Sequence, residues 1–170
     1  MKLRKRFSIT TIILLFMMLT SCTDKTLPIK EFNINMNGSA SFISLADSGE
    51  VHAFSMQGDS EKVGTLHANG ELKNNDGKLL ATIDEDGFVY DADTNKMVQI
   101  NDTGDIDNGS GQYLSWSDDG KFSMQQGGDF LQLNPNDKDL RKSASFLIFV
   151  MMSLNSVTTD MSDMNIDEND

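Results

Sequence analysis

Few side chains in this 170-residue chain can make or break bonds. There is one thiol, Cys22, and there are two imidazoles, His52 and His67. One Cys and two His cannot complete a Cys/His zinc site. A single Cys also excludes an internal disulfide. No Gly-x-Ser-x-Gly elbow, Walker loop or dinucleotide fingerprint occurs. Asn108-Gly109-Ser110-Gly111 comes nearest, and it sits at a turn signal. Carboxylates are plentiful, with 26 Asp+Glu against 14 Lys+Arg and a formal charge of −12. That charge repels DNA, RNA and anionic lipid, so no nucleic-acid partner is expected. The pairs Asp84/Asp86 and Asp118/Asp119 have the residue types of an acid and a base. The acid of such a pair needs a sheltered site to raise its pKa. Both pairs flank turn glycines, so they read as solvated turn formers. His52 and His67 read as surface residues.

One oxygen-rich stretch fits a cation better. Asp91, Asp93, Asn95, Gln99 and Asp102 fall at positions 1, 3, 5, 9 and 12 of a twelve-residue loop, with aliphatic Val98 at position 8. This pattern resembles an EF-hand calcium loop, and calcium takes about six to eight oxygen ligands. Lys96 stands where the EF-hand has its turn glycine, and Asp102 replaces the bidentate Glu. The flanks read as strands rather than helices. The bland reading makes Asp91, Asp93 and Asn95 a turn between two strands. No cofactor is expected, and Asp91, Asp93, Asn95 and Asp102 are the one calcium candidate.

Cys22 has the most specific surroundings. Lys2, Arg4, Lys5 and Arg6 precede an apolar run from Ile12 to Leu19. This is the order of a secretory signal peptide. The run is shorter than the roughly 20 residues of a spanning helix. Leu19-Thr20-Ser21-Cys22 then resembles the lipobox of bacterial lipoproteins. The resemblance implies diacylglycerol transfer to the Cys22 thiol, cleavage between Ser21 and Cys22 by the lipoprotein signal peptidase, and acylation of the new amino terminus. It also implies an extracytoplasmic protein held at a membrane. Thr23 rather than Asp follows the Cys, which favours the outer over the inner membrane. With the four basic residues of 1–21 removed, ten remain against 26 acids, a charge of −16 on the 149-residue mature chain.

The elements beyond the anchor are repetitive. Gly70, Gly87, Gly104 and Gly120 lie 17, 17 and 16 residues apart. Each has an apolar residue four before (Leu66, Ile83, Ile100, Trp116), seven before (Val63, Leu80, Met97, Tyr113) and two after (Leu72, Val89, Ile106, Phe122). Such agreement signals a repeat architecture, with the apolar positions read as core. An offset copy precedes it (Phe42, Leu45, Gly49, Val51), with an insertion near 57–60. A decayed copy follows (Phe130, Leu133, Asp137). Second turn signals fall at Asp76-Gly77, Thr94-Asn95, Ser110-Gly111 and Gly127-Gly128. The runs between turns are β-branched and aromatic, as in short strands. The pattern is similar to Gly/Asp-turn β-repeats of bacterial lipoproteins. It distantly resembles the hairpins of cell-wall-binding modules, but one Trp and two Tyr are too few for a choline-cage array.

The expected fold is mainly β, a short-strand meander or β-solenoid of about 17 residues per repeat with one C-terminal helix. The chain divides into a removed signal peptide (1–21), a lipidated Cys and tether (22–31), a β-repeat domain (32–133), a helix packed on the repeats (136–155) and an acidic disordered tail (156–170). Asn136 or Asp137 can cap the helix. Phe146 to Met152 is apolar all round, and the bland reading has it closing one face or end of the array. The expected function is a lipid-anchored, extracytoplasmic envelope protein acting as a binding or structural module, not an enzyme. The expected partners are the membrane, through the N-terminal lipid, and an envelope protein. A binding module should show an exposed aromatic cluster, for which Tyr90, Tyr113 and Trp116 are candidates, although Tyr113 and Trp116 occupy core positions of the repeat. The rivals are an envelope hydrolase using surface carboxylates and a calcium-stabilised adhesion or scaffold repeat.

Overall fold

A computed structural model describes residues 27–36, 40–55, 58–109, 112–124 and 128–162. Twelve short strands follow one another: β1 (Phe32–Met36), β2 (Ala40–Leu45), β3 (Glu50–Phe54), β4 (Ser60–Leu66), β5 (Glu71–Asn74), β6 (Leu79–Ile83), β7 (Phe88–Asp91), β8 (Lys96–Ile100), β9 (Ile106–Asp107), β10 (Gln112–Trp116), β11 (Lys121–Met124) and β12 (Asp129–Asn134). Each pairs antiparallel with the next, and β1 pairs with β12, so the sheet closes into a barrel. The mainly β expectation and the single C-terminal helix agree with this. The expected meander or solenoid does not, because the repeats neither form an open sheet nor stack. They close on themselves, which removes both sheet edges.

The repeat unit is one hairpin, and six copies complete the ring. The last copy is split, since β12 supplies its first strand and β1, from the other end of the chain, its second. Cross-strand register makes the equivalence explicit: Leu45↔Val51, Leu66↔Leu72, Ile83↔Val89, Ile100↔Ile106, Trp116↔Phe122 and Leu133↔Ile34. The offset and decayed copies are therefore full members. All twelve of these side chains are buried.

The residue seven before each glycine sits at a bulge. Val63, Leu80 and Met97 are each the extra residue where the register shifts, so the alternation of a regular strand does not hold there. The inward partner lies six before: Ile43, Gly64, Ala81, Val98, Leu114 and Leu131, all buried. Val63 and Leu80 are half-buried and pack against the core, as the repeat pattern suggests, whereas Met97 is 39% exposed.

The repeat glycines Gly49, Gly70, Gly87, Gly104 and Gly120 collect at one end of the barrel. Gly87 has φ +81°, and a Cβ there would overlap the Ile100 carbonyl oxygen. Its own carbonyl accepts from Ile100 N–H at 2.8 Å. Gly49, Gly70 and Gly120 receive Leu66, Ile83 and Leu133 in the same way. Each turn thus stitches one hairpin to the next. Register shifts recur just beyond the inward residue, as between Val51/His52, Leu72/Lys73 and Val89/Tyr90. Such bulges bend strands and add twist, which helps a sheet close.

The helix lies inside the barrel rather than against a face or end. A 3-10 turn (Lys138–Leu140), capped by the Asp137 side chain, leads into α1 (Arg141–Ser162). Residues 143–148 are all buried, more than one full turn, so protein surrounds the helix on every side. Its apolar residues and the inward strand residues form one core. Geometry accounts for this. Twelve strands about 4.8 Å apart and tilted by about 40° give a radius of roughly 12 Å, close to the sum of one helix and one layer of inward side chains. Met152 and Leu154, both 37% exposed, mark where the helix leaves the far end. The helix continues to Ser162, into the segment expected to be a tail, while 163–170 lie outside the described residues.

The expected tether also differs. Leu27 is 2% exposed and belongs to the core, and Ile29 packs against it. The Pro28 carbonyl accepts from Ser143 Oγ at 2.9 Å, and Asp47 Oδ1 accepts from Glu31 N–H at 2.8 Å. Residues 27–31 are therefore a stopper in the glycine-turn end of the barrel.

Candidate functional site at the glycine-turn end

Five hairpin turns, the stopper and the start of α1 converge at this end. The turns exist because Asn, Asp and Ser side chains accept from backbone N–H groups two and four residues ahead, which stabilises tight reversals. Asn101 Oδ1 accepts from Thr103 N–H at 3.0 Å and from Asp105 N–H at 2.9 Å. Asp84 Oδ1 accepts from Phe88 N–H at 2.8 Å.

Arg141 is the charge at the centre of this end. It is 5% exposed. Its Nη2 donates to the Ser117 carbonyl at 2.9 Å, to Asn136 Oδ1 at 3.0 Å and to the Asp118 carbonyl at 3.4 Å. Its carbon stands 5.9 Å from the Trp116 ring centroid, within cation–π range. Nη2 thus fastens the helix start to the turn before β11, while the buried Nε has no hydrogen-bond partner among the described residues.

The surrounding cations engage carboxylates. Lys138 Nζ lies 3.1 Å from Asp118, Lys142 Nζ 3.5 Å from Asp102, and Lys30 Nζ 2.9 Å from Asp137. The last contact raises the pKa of Lys30 and lowers that of Asp137, the hydrogen bond between them being the main cause in both. Asp119 is also lowered, by its hydrogen bonds to Ser117 and Lys121. A cavity of about 460 Å³ opens among Pro28, Asp105, Trp116, Asp118, Arg141 and Lys142. Its charges are mixed in sign: Lys138 pairs with Asp118 and Lys142 with Asp102, while Arg141 bonds carbonyl and amide oxygens, an arrangement that holds a helix in place.

The sequence-derived candidates are dispersed. Asp91, Asp93 and Asn95 share a turn at the far end, between β7 and β8. Asp102 lies at the glycine-turn end, on the other side of β8. Both oxygens of Asp91 are occupied: Oδ1 accepts from Asp93 N–H at 2.9 Å and Asn95 N–H at 2.8 Å, and Oδ2 from Asn95 Nδ2 at 2.8 Å. These bonds lower the Asp91 pKa, that from the Asn95 side chain most. The four calcium candidates are thus not brought together, because a strand rather than a looping glycine separates them. Among the described residues no group of three or more His, Cys, Asp or Glu is placed to hold a metal.

Asp84 bonds Tyr90 Oη at 3.0 Å, which raises the tyrosine pKa, so Asp84/Asp86 is a turn former as the sequence suggests. Asp118 and Asp119 likewise form the turn before β11. His67 lies exposed in a turn, and His52 is half-buried on the outer face of β3. Trp116 points into the lumen at 8% exposure, and Tyr90 lies half-buried outside, so these two do not cluster. The Tyr113 side chain, Ser110, Ser21 and Cys22 lie outside what is described. Sequence reasoning passed over Arg141, Ser145 and Leu27. The available signal was a helix apolar on every side and interrupted only by small serines.

No family model, no curated protein and no solved structure matches this chain.

Proposed function

We propose that this protein is a lipid-anchored, extracytoplasmic envelope protein whose barrel is a binding or structural module and not an enzyme. The observation that carries the reading is the placement of the only thiol, Cys22, directly after an apolar run and two small residues. The fold is compatible with it. Along residues 143–148 the lumen is filled by the protein's own helix, which leaves that stretch to packing rather than to a carried ligand or substrate. The strands have two to seven residues, against about 9–11 for a membrane-crossing strand. Outward residues such as Asn33, Ser44, Lys73, Thr82 and Gln99 are polar. Among the described residues no helix is long and apolar enough to cross a membrane. A membrane attachment therefore falls to the N-terminus, and an outer membrane, where the host has one, is the favoured destination.

Metabolic labelling with an alkyne fatty acid tests the reading. The wild-type chain should label, and Cys22→Ala should lose the label and accumulate as uncleaved precursor. Normal processing of Cys22→Ala would sink the anchor.

A further inference from the structure

We infer that the glycine-turn end of the barrel is the face that rests against the bilayer, and that the far end, with the helix exit, projects away from it. The inference rests on the acylation of Cys22 proposed above. From Cys22 to Leu27 is five residues. At full extension they reach about 18 Å. Leu27 is not a free end: it is buried in the stopper, its N–H donates to the Ala68 carbonyl at 3.4 Å, and Ser143 of α1 holds the next residue. The lipid is therefore leashed to a point inside the rim of the glycine-turn end.

The leash length decides between the two ends. Turning the far end toward the membrane would take it across a barrel radius of roughly 12 Å and then along the wall. The wall is strands of about five residues, or roughly 15 Å, with turns beyond. Several ångströms more are needed to enter the headgroup layer. The total exceeds 18 Å by a wide margin. Resting on the glycine-turn end needs only the headgroup crossing.

The opposing consideration is apolar surface. Met36, Met97, Met152 and Leu154 are the exposed large hydrophobic residues of the described chain, and all four lie toward the far end. If apolar contact rather than leash length set the orientation, that end would face the lipid. The two causes make opposite predictions.

The test uses the acylated protein purified from membranes and placed in phosphatidylcholine vesicles. These carry a trace of phosphatidylethanolamine with a photoactivatable headgroup. Mass spectrometry of the N-terminal peptide reads the acylation, and crosslinked peptides read the orientation. Crosslinks should concentrate several-fold at 27–31, 46–49, 101–104 and 136–139 over 75–78 and 91–97. An acylated peptide with crosslinks favouring 91–97 and 152–154, or spread evenly over both ends, overturns the orientation alone. An unacylated Cys22 overturns the anchor and the orientation together.

Discussion

The indole Nε1 of Trp116 donates to the hydroxyl of Ser145 at 2.7 Å, and that hydroxyl donates in turn to the carbonyl of Gly104. This relay joins wall, helix and turn. It replaces a bond the other turns make among themselves. Where Gly49, Gly70, Gly87 and Gly120 each accept from the backbone of the next hairpin, Gly104 accepts from the helix, and Trp116 N–H turns to Asp105 Oδ1 at 2.9 Å. One unit of a sixfold ring has been altered to hold the plug.

Ser145→Ala should therefore cost more than its size suggests. It leaves both the indole N–H and the Gly104 carbonyl unpaired in the core, at about 1–3 kcal/mol for each such group. Trp116→Phe alone leaves Ser145 bonded to Gly104. A double-mutant cycle by urea unfolding should give a coupling of about 1 kcal/mol or more between the two positions. Additive losses would mean that the relay does not hold the helix.

The two classes of turn glycine should respond differently. At Gly87 a β-branched side chain meets both a positive φ and the Ile100 carbonyl, so Gly87→Val should lower stability by about 3 kcal/mol or more. Gly77 also has positive φ (+78°), but nothing lies within 4 Å of an added Cβ. Gly77→Ala should cost only about 1 kcal/mol. Thermal melts of the two variants check the contrast, and equal losses would remove the stitching role assigned to the glycine-turn end.

Lys30 and Asp137 give the stopper a pH signature. The folded Asp137 carboxyl titrates below its ordinary value, so its contribution is present above the usual carboxylate range and is lost as pH falls through the lowered folded pKa. The folded Lys30 titrates above its ordinary value, so its contribution is lost only as pH rises through that raised value. Asp137→Asn keeps an N-cap oxygen and removes the charge. Urea midpoints of wild type and Asp137→Asn should differ at about pH 6 and converge near pH 2. A gap that persists in acid would show that the ion pair is not its cause. The pair is solvent-exposed, so the gap should be small.

Much of the ring was legible in the sequence. The Gly spacing located all five hairpin turns of the glycine-turn end, and the residues four before and two after each glycine are the inward pair. Of the residues seven before each glycine, Val63 and Leu80 reach the core from bulges, while Met97 stays exposed. Ala81 and Gly64 are inward but weakly apolar, so the apolar pattern does not mark them. The calcium pattern fails on the length of a strand. Linear spacing put Asp91 and Asp102 in one loop, and strand β8 carried them to opposite ends of the barrel.

What the sequence determined by itself was local. Gly, Asp and Asn fix where the chain reverses, because φ > 0 and side-chain bonds to backbone N–H are cheap only for those residues. Period-two apolar residues fix which side of each strand is buried. An acidic composition fixes a polar exterior. Closure belonged to the tertiary structure. Six hairpins can extend into an open sheet or curl into a ring, and nothing within one hairpin chooses. The choice comes from pairings distant in sequence: β1 against β12 completes the split hairpin, and the apolar helix fills a lumen that twelve strands make wide enough for it. The helix reads as one that packs on a face until the ring exists to enclose it, and Leu27 reads as part of a tether until there is a rim for it to stop.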